Sequence, residues 1–211
     1  MNMSRLTTRT SEVGWDVIIG HLLLVQHWHT APANVRLQAA EIFDKIVSAA
    51  PKESAGASED QQKHTQDQVF QALMRQAEPQ DRSQISTDVE IRQAALDTLY
   101  KVLESQGHAL VCGWKTIFSI LQTACPSGRP QTSTTSSSSE TSVATAAKTS
   151  QLVRVAFPSL QLICSDFLAA LSVEESGQCI VTLTSFGRQV EDVNVALTVS
   201  PGHLGSSLTR H

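Results

Sequence analysis

Apolar residues in this chain recur at steps of three and four, segment after segment, and nowhere alternate with polar ones for long. That spacing draws an apolar stripe down one side of an α-helix, whereas a half-buried strand needs a period of two. Aromatic residues make up only 5% of the 211 residues, which leaves a sheet little to build on. The pattern therefore predicts an all-α chain.

Pro and Gly divide the pattern into helices. The first is predicted to start with Ser11 as N-cap, to carry Val13, Val17, Ile18, Leu22 and Leu24 on a wide apolar face, and to end before Pro32. Pro32 is tolerated in the first turn of a second helix, where Val35, Ala39, Ile42, Phe43 and Ile46 fall at helical steps and Pro51 closes the run. Residues 52–62 are small and polar and read as a loop. A short third helix holds Val69, Phe70, Leu73 and Met74 and stops near Pro79. Thr87 and Glu90 have capping-box spacing at the head of a fourth, whose inward residues are Ile91, Ala94, Ala95, Leu99, Val102 and Leu103 and whose end is Gly107. Residues 109–124 are predicted as a fifth helix, with Leu110, Trp114, Ile117, Phe118 and Leu121 on one side.

Residues 126–148 are dominated by Ser and Thr and hold too little apolar area to offset the entropy of ordering, so a disordered linker is expected there. Residues 149–199 return to helical spacing. Leu152, Val153, Ala156, Leu160, Ile163, Phe167 and Leu168 share a helix that Pro158 is expected to kink. Ser172 and Glu175 then repeat the capping-box spacing before Cys179, Ile180, Leu183 and Phe186, with Gly187 at the end. The organisation expected is a disordered stretch at residues 1–10, helical repeats over 11–125, the linker at 126–148, further repeats over 149–199 and an irregular tail at 200–211.

An internal echo favours a solenoid over a closed bundle. Laying Val35 over Ile91 pairs Arg36 with Arg92, Ala39 with Ala95 and Lys45 with Lys101, at an offset of 56 residues. HEAT repeats recur at about 40 to 47 residues, and the polar loop at 52–62 accounts for the excess. The fold expected is a HEAT/armadillo-like α-solenoid of antiparallel helix pairs.

Composition and motifs narrow the function. A net charge of −4 gives no general attraction to nucleic acid or anionic lipid. Cys112, Cys125, Cys164 and Cys179 are widely spaced among apolar residues and form no C-x-x-C pair, which reads as buried free thiols in a cytoplasmic protein. The apolar stretch over residues 17–25 is far shorter than the roughly 20 residues of a membrane-spanning helix, and no transmembrane segment is expected. His27 and His29 would point about 200° apart on a helix, a poor start for a metal site, and the bland reading is a pair of surface histidines. Gly14 and Gly20 lack the Lys and Ser or Thr of a phosphate loop, and Asp166 has no histidine partner defined by sequence. Glu12 and Asp16 are the acids expected in a helix's first turn. Trp15, Trp114, Phe118 and Phe157 are the aromatics best suited to anchor a partner, though at helical spacing they are first of all core residues. No catalytic, cofactor-binding or metal-ligating residue is assigned, and the protein-binding residues are unknown at this level. The protein is read as a non-enzyme.

Residues 152–168 (LVRVAFPSLQLICSDFL) and 185–198 (SFGRQVEDVNVALT) resemble the Mon-two family, large scaffold proteins related to the Arf guanine-nucleotide exchange factors but lacking the exchange domain. Residues 14–17 (GWDV), 35–40 (VRLQAA) and 113–118 (GWKTIF) fit the helical repeats of the same family. The resemblance implies an armadillo-like fold and no cofactor. It also implies a non-catalytic role in endosome-to-Golgi traffic, peripheral on those membranes. The partners it implies are a Dopey-family protein, a phospholipid flippase and Arf-like small GTPases. A HEAT-type adaptor in nuclear import or phosphatase assembly, and a helical enzyme with a site assembled in space, are the alternatives. After Thr198 the resemblance stops, and Pro201 disfavours a continuing helix. The tail is therefore expected to be an altered ending that leaves Val193 and Leu197 uncovered and the isolated chain prone to aggregate.

Overall fold

The computed structural model describes residues 3–53, 56–79, 86–125, 139–189 and 192–199. Among them are eight α-helices and no strand: α1 (Met3–His27), α2 (Ala33–Glu53), α3 (Glu59–Ala77), α4 (Ser86–Gln106), α5 (Trp114–Thr123), α6 (Ser139–Leu162), α7 (Val173–Arg188) and α8 (Val193–Val199). Each odd helix packs on the even one that follows it, as a hairpin. The hairpins stack, so that α1, α3, α5 and α7 follow one another in one layer and α2, α4, α6 and α8 in the other. This is the all-α solenoid that the spacing predicts.

One apolar cluster runs the length of the stack. Phe43, Phe70, Leu99, Phe118, Leu160 and Phe186 come from α2 through α7 and are fully sealed from solvent. Each is worth about 1.5–3 kcal/mol in surface removed from water, which holds helices together whose own propensity is modest.

Several boundaries differ from the spacing-based ones. Helix α1 already begins at Met3, so residues 3–10 are helical and Ser11 is not an N-cap. No Pro or Gly interrupts residues 3–10, and a helix anchored by buried Ile19 and Leu23 extends backwards at little cost. Helix α2 runs through Pro51 to Glu53, because a proline in the last turn removes only one hydrogen bond. Thr87 is buried inside α4, and Ser86, not Thr87, donates its hydroxyl to Glu90, at 3.2 Å. Helix α6 starts at Ser139, inside the expected linker, where Ala144, Ala146 and Ala147 favour helix. Residues 126–138 and 200–211 lie outside the described residues.

The link between α4 and α5 replaces the predicted helical start at 109. A single 3-10 turn, Gly107–Ala109, follows α4, and Gly113 takes φ +93° before α5 begins at Trp114. Gln66 of α3 holds this link like a backbone strand: its amide nitrogen donates to the Ala109 carbonyl at 3.0 Å. Its oxygen accepts from the Val111 and Cys112 amides at 3.0 and 3.3 Å.

Beyond α6 the chain widens into a π turn, Ile163–Phe167, and tightens into a 3-10 turn, Leu168–Ala170. The change falls five residues after Pro158, which sits inside α6. The segment Ser150–Ala170 is long and apolar enough to cross a membrane by length and composition alone, which the apolar runs of the sequence did not suggest. Here Leu152, Val153, Ala156, Leu160 and Ile163 are buried in the stack, as in the core helix of a layered protein. Ser172 caps α7: its hydroxyl accepts from the Glu175 amide and the Glu175 carboxylate accepts from the Ser172 amide, the predicted capping box.

Candidate functional site

The paired arginines of the sequence echo do the same structural work. Arg36 of α2 is almost wholly buried, donating from Nε to the Gln26 carbonyl at 2.6 Å and from Nη2 to the Asp88 carboxylate. It thereby satisfies a carbonyl in the last turn of α1 and ties that end to the first turn of α4. Arg92 of α4 donates from Nε to the Ala77 carbonyl at 3.0 Å and from Nη2 to the Thr123 carbonyl at 2.7 Å, the last residues of α3 and α5. A third arginine, Arg154 of α6, pairs with Asp192, whose other carboxylate oxygen accepts from the Val195 amide at 3.1 Å and so caps α8. The Arg154 contact, then the Val195 amide, hold the Asp192 carboxyl below the usual range. These cations are committed to the stack.

The chemical candidates disperse. His27 is half-buried at the end of α1, and burial followed by the Arg36 charge keeps its pKa low, while His29 is exposed. No group of three or more His, Cys, Asp or Glu side chains suited to a metal occurs among the described residues. Gly14 and Gly20 are interior to α1, and Asp16 is exposed there; the Glu12 side chain lies outside the described residues. Asp166 is exposed in the π turn. A cleft of about 210 Å³ lies between the ends of α1 and α3 and the start of α4, lined by His27, Gln76, Glu78, Asp88, Ile91 and Arg92. Most of that space is open to solvent, and the enclosed part, about 10 Å³, has room for roughly one water molecule rather than a ligand.

Of the proposed aromatic anchors, Trp114 and Phe118 are core, Trp15 is half-buried, and Phe157 lies against Phe186 with ring centroids 6.1 Å apart. The exposed aromatic is Trp28, 60% accessible. It stands next to an exposed apolar row, since Val17 and Leu24 fall at i and i+7 of α1, Ile18 is exposed beside them, and Trp28 follows one residue past the helix end. The face predicted to be the inner one of α1 is thus largely its outer one, and the core is met by Ile19, Leu23 and Gln26. An apolar helix with two apolar sides gives no sign in spacing of which side turns inward. Val35 and Ile42 add to the same end of the stack from α2. At the other end Val173, Ile180 and Val181 of α7 and Val193 and Leu197 of α8 are exposed. Val111 in the link before α5 and Leu168 after the π turn are exposed as well.

Comparison with known proteins follows the same lines. Residues 58–162 match the Sec7-like family described as "Mon2/Sec7/BIG1-like, HDS". The Protein MON2 homolog of Schizosaccharomyces pombe is 29% identical over 201 residues, 93% of this chain. The Drosophila melanogaster Protein MON2 homolog is 29% identical over 119 residues, 55% of this chain. This chain spans 12% of the first relative and 6% of the second. No solved structure matches it significantly.

Proposed function

Because the chain belongs to the Mon2-related Sec7-like family, we propose that it is a non-catalytic, protein-binding stretch of a scaffold that acts in endosome-to-Golgi traffic. Membership supports a Sec7-related trafficking scaffold at the coarse level. The finer reading draws on one structural observation: Arg36 and Arg92 are spent on bonds between helices, while Val17, Ile18, Leu24 and Trp28 of the first hairpin stand exposed together. A surface of that kind binds proteins. The proposed location is the cytoplasmic side of Golgi and endosome membranes. The proposed partners are a Dopey-family protein, a phospholipid flippase and Arf-like GTPases, and the repeats are taken to be of the HEAT or armadillo kind.

Proximity labelling in cells from the tagged chain tests this. Enrichment of Golgi and endosomal proteins, the Dopey-family partner among them, is the expected outcome, weakened when Leu24→Glu and Trp28→Glu are introduced together. Enrichment of nuclear-import factors or phosphatase subunits instead would assign the chain to an adaptor of another pathway.

A further inference from the structure

Two thiols that sit fifteen residues apart in sequence meet in the fold. The sulfurs of Cys164 and Cys179 are 3.9 Å apart, in van der Waals contact. Cys164 is the second residue of the π turn and half-buried, so an oxidant can reach it; Cys179, from the first turns of α7, is wholly enclosed behind it. The other two cysteines, Cys112 and Cys125, are far from this arrangement in chemistry. Cys112 donates to the Lys63 carbonyl at 3.3 Å, and burial pushes the Cys125 thiol up to about 12. A pair with one open and one enclosed sulfur is the layout in which the first is oxidised and the second resolves it.

We propose that Cys164 and Cys179 form a reversible, hydroperoxide-driven disulfide that fastens α7 to the π turn. In the first step the Cys164 sulfur, as thiolate, attacks the near oxygen of the hydroperoxide. The O–O bond breaks, the sulfur is oxidised to a sulfenic acid, and the far oxygen leaves with a proton as water or alcohol. In the second step the Cys179 sulfur attacks the Cys164 sulfur, the S–O bond breaks, and the hydroxide leaves as water with the Cys179 proton. The sulfurs must close by about 2 Å to reach bonding distance, a shift that χ1 rotation and the wide π turn accommodate. The contact also favours Cys164 as the attacking group, because the Cys179 thiol donates to it and lowers its pKa, while the Cys179 thiol is raised by the same contact and by burial.

The full chain is treated with hydrogen peroxide and digested without reduction. Arg154 and Arg188 are the flanking tryptic sites, so both thiols fall in one tryptic peptide; cleavage after Glu174 and Glu175 separates them. Expected are a Cys164–Cys179 cross-linked peptide, loss of two of the chain's four thiols together, and restoration of both by dithiothreitol. The oxidised chain is also expected to unfold at a higher urea concentration than the reduced one, since the bond closes a loop. In Cys179→Ser, Cys164 should go on to sulfinic acid. Sulfinic acid at Cys164 of the unmodified chain, with Cys179 still free, would overturn the proposal, as would cross-links that join other cysteine pairs. The cross-linked peptides and the thiol count of the unmodified chain together decide the matter even if a serine variant fails to fold.

Discussion

A methyl group added at Gly113 would stand 2.4 Å from Cδ2 of the Phe70 ring, on a backbone already at φ +93°. Both conditions oppose alanine, so Gly113→Ala should cost about 2–4 kcal/mol, read as a lower urea midpoint at unchanged slope. Gly107 is tight for a different reason: its added methyl would meet Cζ of Phe167 at 2.2 Å, and Phe167 also lies 5.8 Å from Trp114 between ring centroids. Trimming that ring with Phe167→Leu should recover part of the loss caused by Gly107→Ala, and strictly additive losses would show that the clash is not the cause. Asp44 gives a pH prediction. Burial raises its carboxyl to about 6, against hydrogen bonds from Gln76 and Thr98 that lower it. A folded pKa above the unfolded one means that the folded chain holds the proton more tightly. The associated stability is full below about pH 4 and is lost as pH rises through 6. Urea titrations should therefore show the unmodified chain losing about 2 kcal/mol relative to Asp44→Asn between pH 4 and pH 8, and parallel profiles would refute it.

At the scale of elements, what spacing could show was existence and order; what it could not show was which groups close the ends. The Ser172–Glu175 capping box was legible because its bonds are local, and Ser172→Ala should cost about 1 kcal/mol in thermal or urea melts. Gln66 was not legible, since its three bonds reach across more than forty residues to a link that periodicity mistook for helix. Gln66→Leu keeps the volume and strands two amides and a carbonyl. It should destabilise by about 2–4 kcal/mol, with amide exchange at Val111 and Cys112 rising first. The Arg36–Arg92 echo was legible as a repeated letter but not as a role. Its meaning came from carbonyls at Gln26, Ala77 and Thr123, which every sequence has at every position. The meeting of Cys164 with Cys179 and the outward turn of Val17, Leu24 and Trp28 escaped for the same reason, being properties of packing rather than of spacing.

For the whole molecule, exposed apolar ends on a stack of hairpins predict self-association, the outer face of one terminal hairpin meeting that of another. Sedimentation of the chain at rising concentration should show growing species. Leu24→Glu with Ile180→Glu should suppress them while moving the urea stability by less than about 0.5 kcal/mol. Unchanged association in that variant would place the contact elsewhere. The three arginines carry a consequence of another sort. A row of hairpins pulled from its two ends behaves as links under tension, each joint bearing the same load, and the weakest joint parts first. Arg36 bolts the first hairpin to the second from a sealed position, and Arg92 bolts the second to the third through the Thr123 carbonyl, its bond to Ala77 closing the second hairpin on itself. The arginine of the last joint, Arg154, has a side chain 67% open to water, which weakens its grip on Asp192, and beside it stand bonds from uncharged donors, Gln122 to Thr182 and Ser150 to Asp192. Under load the chain should therefore yield from its C-terminal end, α8 peeling away before any of the earlier hairpins gives.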